Sequence, residues 1–95
     1  MAMLLHEVWE EPDGQGRWLP GLCLAGPDGE SFRKTLAAGA RCVHRFEAGS
    51  HFDTMTNYHA HLGREPYTTA HAQDHTPYPP EWAARQRGFV KRLPG

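Results

Sequence analysis

Glycine and proline punctuate this chain more heavily than any other feature of it. Ten glycines and eight prolines fall among 95 residues, many of them in the clusters Pro12-Asp13-Gly14-Gln15-Gly16, Gly26-Pro27-Asp28-Gly29 and Pro77-Tyr78-Pro79-Pro80. Proline fixes φ and removes a backbone donor, while glycine supplies the positive φ that tight turns require. No regular element can run far between such breaks, which leaves short strands and helices joined by well-specified loops. Hydrophobic residues make up only 39% of the chain, yet four phenylalanines, three tyrosines and three tryptophans give anchors enough for a packed core rather than disorder. A chain of this length makes one domain, burying roughly two-thirds of its unfolded surface. Multi-domain enzymes and repeat arrays are excluded.

Between the breaks, residues 3–11 read as a strand carrying the β-favouring Val8 and Trp9. The next apolar run, 18–25, contains Pro20 and Gly21, so its strand is expected over 21–26 with a bulge or late start. The turn between them predicts an antiparallel hairpin. A helix is expected from 29 to 38, capped by Asp28, with Phe32 and Leu36 on one face and Gly39 as its stop. Residues 40–47 alternate Cys42, His44 and Phe46 against Arg41, Val43 and Arg45, a half-buried strand with charge outside. The clearest local signal is Ser50-His51-Phe52-Asp53, a capping box, followed by Phe52, Met55, His59 and Leu62 at helical spacing and then Gly63. These predict a helix over 51–62. From Arg64 to Trp82 the prolines forbid regular helix, while Tyr67, Tyr78 and Trp82 predict an extended strap docked on the core. Past it, a frayed helical turn at 81–87 and a mobile tail are expected.

The resulting expectation is an α+β fold of ββαβα order: a small three-stranded mixed sheet, two helices on one face, and an irregular proline- and aromatic-rich strap. The mixed character comes from a right-handed crossover between the second and third strands. Residues 1–82 form the domain and 83–95 a basic C-terminal tail with Arg85, Arg87, Lys91 and Arg92.

Ten basic residues against eleven acidic ones give no general electrostatic footprint for nucleic acid, and the short tail offers only Phe89 for stacking. No apolar run approaches a membrane span, and no secretory signal is visible, so the expectation is a soluble cytoplasmic protein of bacterial style. Cys23 and Cys42 fit no CxxC pattern and are expected as reduced thiols within apolar stretches.

Seven histidines are the compositional oddity. His59 and His61, with His71 and His75, form the candidate metal set, and Zn²⁺ is the ion such imidazoles would hold. Geometry weighs against it, because residues two apart on a helix point about 200° apart, and otherwise no cofactor is implied. Cys42 and His44, two apart on a strand with His59 facing them, form a minimal Cys/His pair, but no oxyanion turn or third group accompanies it. No P-loop, GxSxG, GxGxxG or HExxH occurs, which weighs against an enzyme and leaves no residue assigned as catalytic. A small-molecule or peptide groove would lie between the 47–53 loop and the strap, lined by His51, Tyr58, Tyr67 and Trp82.

The run GSHFDTMTNYHAHLGREPYTT, Gly49–Thr69, followed by HTPYPPEW, His75–Trp82, resembles a family of small uncharacterised bacterial proteins. The likeness extends from Leu4 to Trp82; it implies a single bacterial domain and brings no catalytic residue with it. The functional expectation is a non-enzymatic interaction or regulatory module whose partner is a second copy of itself or another protein, since the aromatics exceed what so short a chain buries and one sheet face lacks helices. The alternatives are a His-rich metal-binding protein and a small Cys/His enzyme.

Overall fold

The computed structural model describes residues 3–91, with side chains described through Gly88. Three strands form one sheet: β1 (Leu4–Pro12), β2 (Trp18–Leu24) and β3 (Arg41–Ala48). The fold is α+β as expected, but the strand order is β2-β1-β3, with β1 antiparallel to both neighbours. β2 and β3 point the same way without touching, so no parallel pairing makes the sheet mixed. The crossover from β2 to β3 steps over β1 instead.

β2 begins at Trp18 and carries Pro20 inside it, earlier than the expected start. The register explains the tolerance. Odd-numbered residues of β1 aim their backbone groups at β2, as the Ala25 N–H to Leu5 carbonyl and Asp13 N–H to Arg17 carbonyl bonds, each 3.0 Å, show. Pro20 pairs with Glu10, an even position, so its missing N–H falls on the free outer edge and no rung is lost.

Two helices follow the expected order. The short α1 (Glu30–Lys34) leads out of a 3-10 turn at Pro27–Gly29, and α2 runs His51–Leu62. They lie on opposite faces of the sheet, not on one. Neighbouring strand residues point to opposite sides; Arg33 of α1 bonds Glu7 at 3.2 Å, while Thr54 of α2 meets His6 at 3.0 Å. Asp28 makes no side-chain cap on α1; it holds Arg85 at 2.7 Å. In α2 the Ser50 hydroxyl caps the Asp53 N–H at 3.2 Å, and Asp53 reaches back to the Gly49 N–H at 3.1 Å. Gly63, at φ 71°, stops the helix.

Two residues of the α2 stripe face away from the sheet. Phe52 and His59 pack on the strap, at 5.9 and 5.4 Å from Tyr67, while Thr54 and His61 meet the sheet. Position 54 is about 200° from position 52 around the helix, so α2 is a two-sided spacer between sheet and strap.

A third helix, α3 (Pro80–Lys91), replaces the expected frayed turn. Its signals were ordinary ones, Pro80 at the first helical position and Glu81 in the first turn. The expected domain boundary at 82 falls inside it, and Ala83 and Gln86 are buried. Residues 92–95 of the expected tail lie outside the described residues.

Gln86 is 8% exposed and completes the sheet. Its Oε1 accepts from the Leu5 N–H at 2.7 Å, and its Nε2 donates to the carbonyls of Leu5 at 2.8 Å and Ala25 at 2.9 Å. The side-chain amide thereby bridges the Leu5 N–H and the Ala25 carbonyl, the second bond of a rung whose first, from the Ala25 N–H to the Leu5 carbonyl, is made directly. The apolar core around it is small: Leu4, Val8, Cys23, Ala25, Ala48 and Ala83.

Candidate functional site

One face of β1 carries His6, 3% exposed. Its Nδ1 lies 2.9 Å from the Leu4 carbonyl; a carbonyl only accepts, so Nδ1 holds the proton and Nε2 is the acceptor. Thr54 Oγ1 sits 3.0 Å from Nε2, 2.7 Å from the Tyr78 hydroxyl and 2.9 Å from the Ser50 carbonyl. Tyr78 donates to Thr54, whose hydrogen is shared between His6 and Ser50. Burial holds the His6 pKa below its ordinary value and pushes Tyr78 upward. Phe46 stacks on His6 at 5.2 Å and Tyr78 tilts over it at 5.9 Å. Every polar atom here is committed to a partner, which makes this a structural junction rather than an open site.

The four histidines of the expected metal set do not converge. The His59 Nδ1 donates to the Glu65 carbonyl at 2.9 Å, and His61 stacks on His44 of β3 with centroids 4.6 Å apart. His75 packs on Phe52 at 4.3 Å, and His71 is exposed just before the 3-10 turn Ala72–His75. Among the described residues no group of three or more His, Cys, Asp or Glu side chains is placed to hold one ion.

The four residues expected to line one groove also separate. His51 and Tyr67 meet edge to face at 6.1 Å on the strap side of α2. Tyr67 donates to Asp74 at 3.1 Å and Thr69 donates to the same oxygen at 2.7 Å, the Thr69 bond first holding the Asp74 carboxyl below its usual range. Tyr58 is half-buried, and burial raises its phenol pKa. Trp82 belongs to α3 and tilts against Tyr78 at 5.8 Å. The nearest groove to the expected one, about 400 Å³, is lined by Met3, Gly49, Ser50, Asp53, His75 and Pro77.

The Cys42–His44 pair is divided by a bulge that alternation alone could not reveal. The register shifts between Val8 and Trp9, so His44 lies opposite Val8 while Cys42 lies opposite Trp9. That extra residue sends the two side chains to opposite faces. His59 is turned to the strap, away from both. Cys23 sits beside Glu7 and Arg33, and burial, more than the Glu7 charge, pushes its thiol up to about 11. A thiol in that state is a poor nucleophile. Cys23 on β2 and Cys42 on β3 are both free and have β1 between them.

What the fold leaves available is apolar surface on β2. Trp18, Pro20, Leu22 and Leu24 lie opposite Pro12, Glu10, Val8 and His6 and therefore share the His6 face. α2 occupies the β3 side of that face. Trp18 is 41% exposed, and the Arg41 guanidinium lies over its ring at 4.1 Å, tethered to Glu10 at 3.4 Å. Pro20 is exposed beside it, with Leu22 half-buried. Sequence inspection missed this row because Pro20 and Gly21 obscured the strand that carries it.

Comparison with protein-family models, curated proteins and solved structures finds no match. No helix among the described residues is long and apolar enough to cross a membrane.

Proposed function

We propose that this chain is a non-enzymatic protein-interaction module that docks a partner on the β2 half of its His6 face. The observation that carries the reading is the row Trp18, Pro20 and Leu22, continuous along one strand and left open by the helices. Tryptophan with a stacked arginine at the edge of an apolar strip is the composition of an interface anchor, since both residue types dominate binding hot spots. The buried polar groups support the same reading, because each is saturated within the fold and none is presented to a substrate. A reducing, cytoplasmic setting goes with it, supported by the two free thiols.

The test is affinity capture from a bacterial lysate with wild-type protein and Trp18→Asp as parallel baits, compared by quantitative mass spectrometry. A protein retained by the wild type and lost from the variant, with unchanged circular dichroism, is the expected result. Identical capture profiles for the two correctly folded baits would overturn the reading.

A further inference from the structure

The two edges of the sheet are not equivalent. The outer edge of β2 lacks a donor at Pro20, and its Leu24 carbonyl already accepts from Arg33 at 3.0 Å. The outer edge of β3 has neither obstruction between its bulge at 42–44 and Gly49, whose carbonyl accepts from the Tyr78 N–H at 2.9 Å. Because Leu5 and Glu7 aim their backbone groups at β2, their partners across β1, Glu47 and Arg45, aim theirs outward. Among the described residues those N–H and C=O groups of β3 meet no hydrogen-bond partner. An edge of this kind is a template for another strand.

We propose that a second copy of this chain occupies it, by two-fold antiparallel pairing of β3 with β3 in the register that sets Arg45 opposite Glu47 of the other copy. Parity and charge select that register. On the C-terminal side of the bulge, Arg45 and Glu47 are the β3 residues whose backbone groups point outward, so the pairing there can slide only two residues at a time. One step in one direction places Arg45 on Arg45, and one step in the other places Glu47 on Glu47. The register between them sets Arg45 against Glu47 twice, each such pair exchanging both of its backbone bonds, and brings the two Phe46 rings directly opposite on the His6 face. Arg45 engages Glu7 of its own chain through Nε at 3.5 Å, which leaves its terminal nitrogens for the partner carboxylate. Glu47 is exposed.

The helices leave room for this pairing. α2 reaches β1 through Thr54 and β3 through His61, so it straddles the gap between those strands. Pairing at a strand spacing of about 4.8 Å then sets the two α2 axes about 10 Å apart, a normal helix-packing distance. Pro20 blunts the remaining edges, so the assembly closes at two copies and does not extend into a fibre. The dimer uses the opposite edge of the sheet from β2, the strand that carries Trp18, and does not depend on the proposed partner surface.

Native mass spectrometry of the full chain tests the pairing with Glu47→Arg and Arg45→Glu, each verified as folded by circular dichroism. The wild type is expected as a dimer, each variant alone as a monomer, and an equimolar mixture of the two variants as a heterodimer, because mixing restores the complementary charges. In parallel, hydrogen exchange of the wild type is expected to show the Arg45 and Glu47 amides gaining protection as concentration rises, a readout that requires no variant. A wild type that remains monomeric up to roughly 1 mM, a dimer indifferent to Glu47→Arg, or folded variants that fail to recombine would each overturn the proposal. Trp18→Asp is expected to leave the dimer intact, so loss of the partner surface and loss of the dimer are separately visible.

Discussion

Gln86 is the residue whose removal tests the architecture most directly. Its amide holds the Leu5 N–H, the Leu5 carbonyl and the Ala25 carbonyl at 2.7–2.9 Å in a position 8% exposed. In Gln86→Ala the Leu5 carbonyl keeps its bond from the Ala25 N–H, but the Leu5 N–H and Ala25 carbonyl lose their partner. Each orphaned buried group costs about 1–3 kcal/mol. The alanine returns a few tenths of a kcal/mol in helix propensity, so the expected net loss is about 2–5 kcal/mol. A domain of this size has about 5–15 kcal/mol in all. With a urea m-value of about 2 kcal/mol/M, the middle of the usual range, the midpoint should fall by roughly 1–2.5 M.

Gln86→Glu sharpens the test without changing shape. At neutral pH its carboxylate would face the Leu5 and Ala25 carbonyls with no hydrogen to offer, a cost at least as large as that of alanine. Below the usual carboxyl range the protonated acid can donate to one carbonyl and accept from the Leu5 N–H. Its deficit relative to wild type, measured at each pH by urea titration, should therefore shrink on acidification. A loss below about 0.5 kcal/mol for Gln86→Ala, the scale of an ordinary surface change, would refute the reasoning and detach α3 from the sheet.

Three further outcomes follow from the same geometry. Gly29→Ala should prevent folding or leave it severely impaired in a soluble-expression and thermal-melt assay, because a Cβ there would overlap the Leu24 carbonyl oxygen, whereas Gly88→Ala, with nothing near its Cβ, should melt at or above the wild-type temperature. Iodoacetamide at neutral pH should leave Cys23 unmodified in the folded state, its thiol being pushed up to about 11, and peptide mapping after timed quenching would detect a contrary result. Since burial lowers the His6 pKa, the unfolded chain binds that proton first; stability should be full above an unfolded pKa of about 6.5 and decline until pH passes below the depressed folded value. Urea midpoints between pH 8 and pH 5 measure this slope, and His6→Phe should flatten it.

The strands and α2 were legible because their causes are local: turn residues at Pro12–Gly16, β-favouring Val8 and Trp9, the Ser50–Asp53 cap and the Gly63 stop. What escaped was decided by distant partners. The Phe52, Met55, His59 and Leu62 stripe signalled a helix correctly, but periodicity cannot say whether an apolar face meets a sheet or a strap. The Cys42–His44 pair was misread because the bulge opposite Val8 and Trp9 exists only once β3 is paired. α3 exceeds the expected turn because its anchors are distant in sequence: Gln86 reaches Leu5, 81 positions away, and Arg85 holds Asp28. Of the expected groove, only His51 and Tyr67 are brought into contact, because the strap returns along α2 and carries Trp82 to another side.

The buried polar residues share a destination that explains how so small an apolar core specifies one arrangement. Leu5, His6 and Glu7 are consecutive on β1, and a strand presents successive residues upward and downward while its backbone points sideways. Gln86 of α3 takes the sideways groups of Leu5, Thr54 of α2 and Tyr78 of the strap meet His6 above, and Arg33 beside α1's end meets Glu7 below. Each helix is thus tied to one address on the central strand by a bond only its own side chain can make. Apolar contacts through Ala25, Ala48 and Ala83 could be satisfied by several packings, since alanines are small and alike; hydrogen bonds with one donor and one acceptor cannot. This division of labour frees the larger aromatics, Trp18 and Trp82 among them, from the interior. It leaves Trp18 and Trp82 at the surface, along with the β2 strip and the β3 edge on which the two proposals rest.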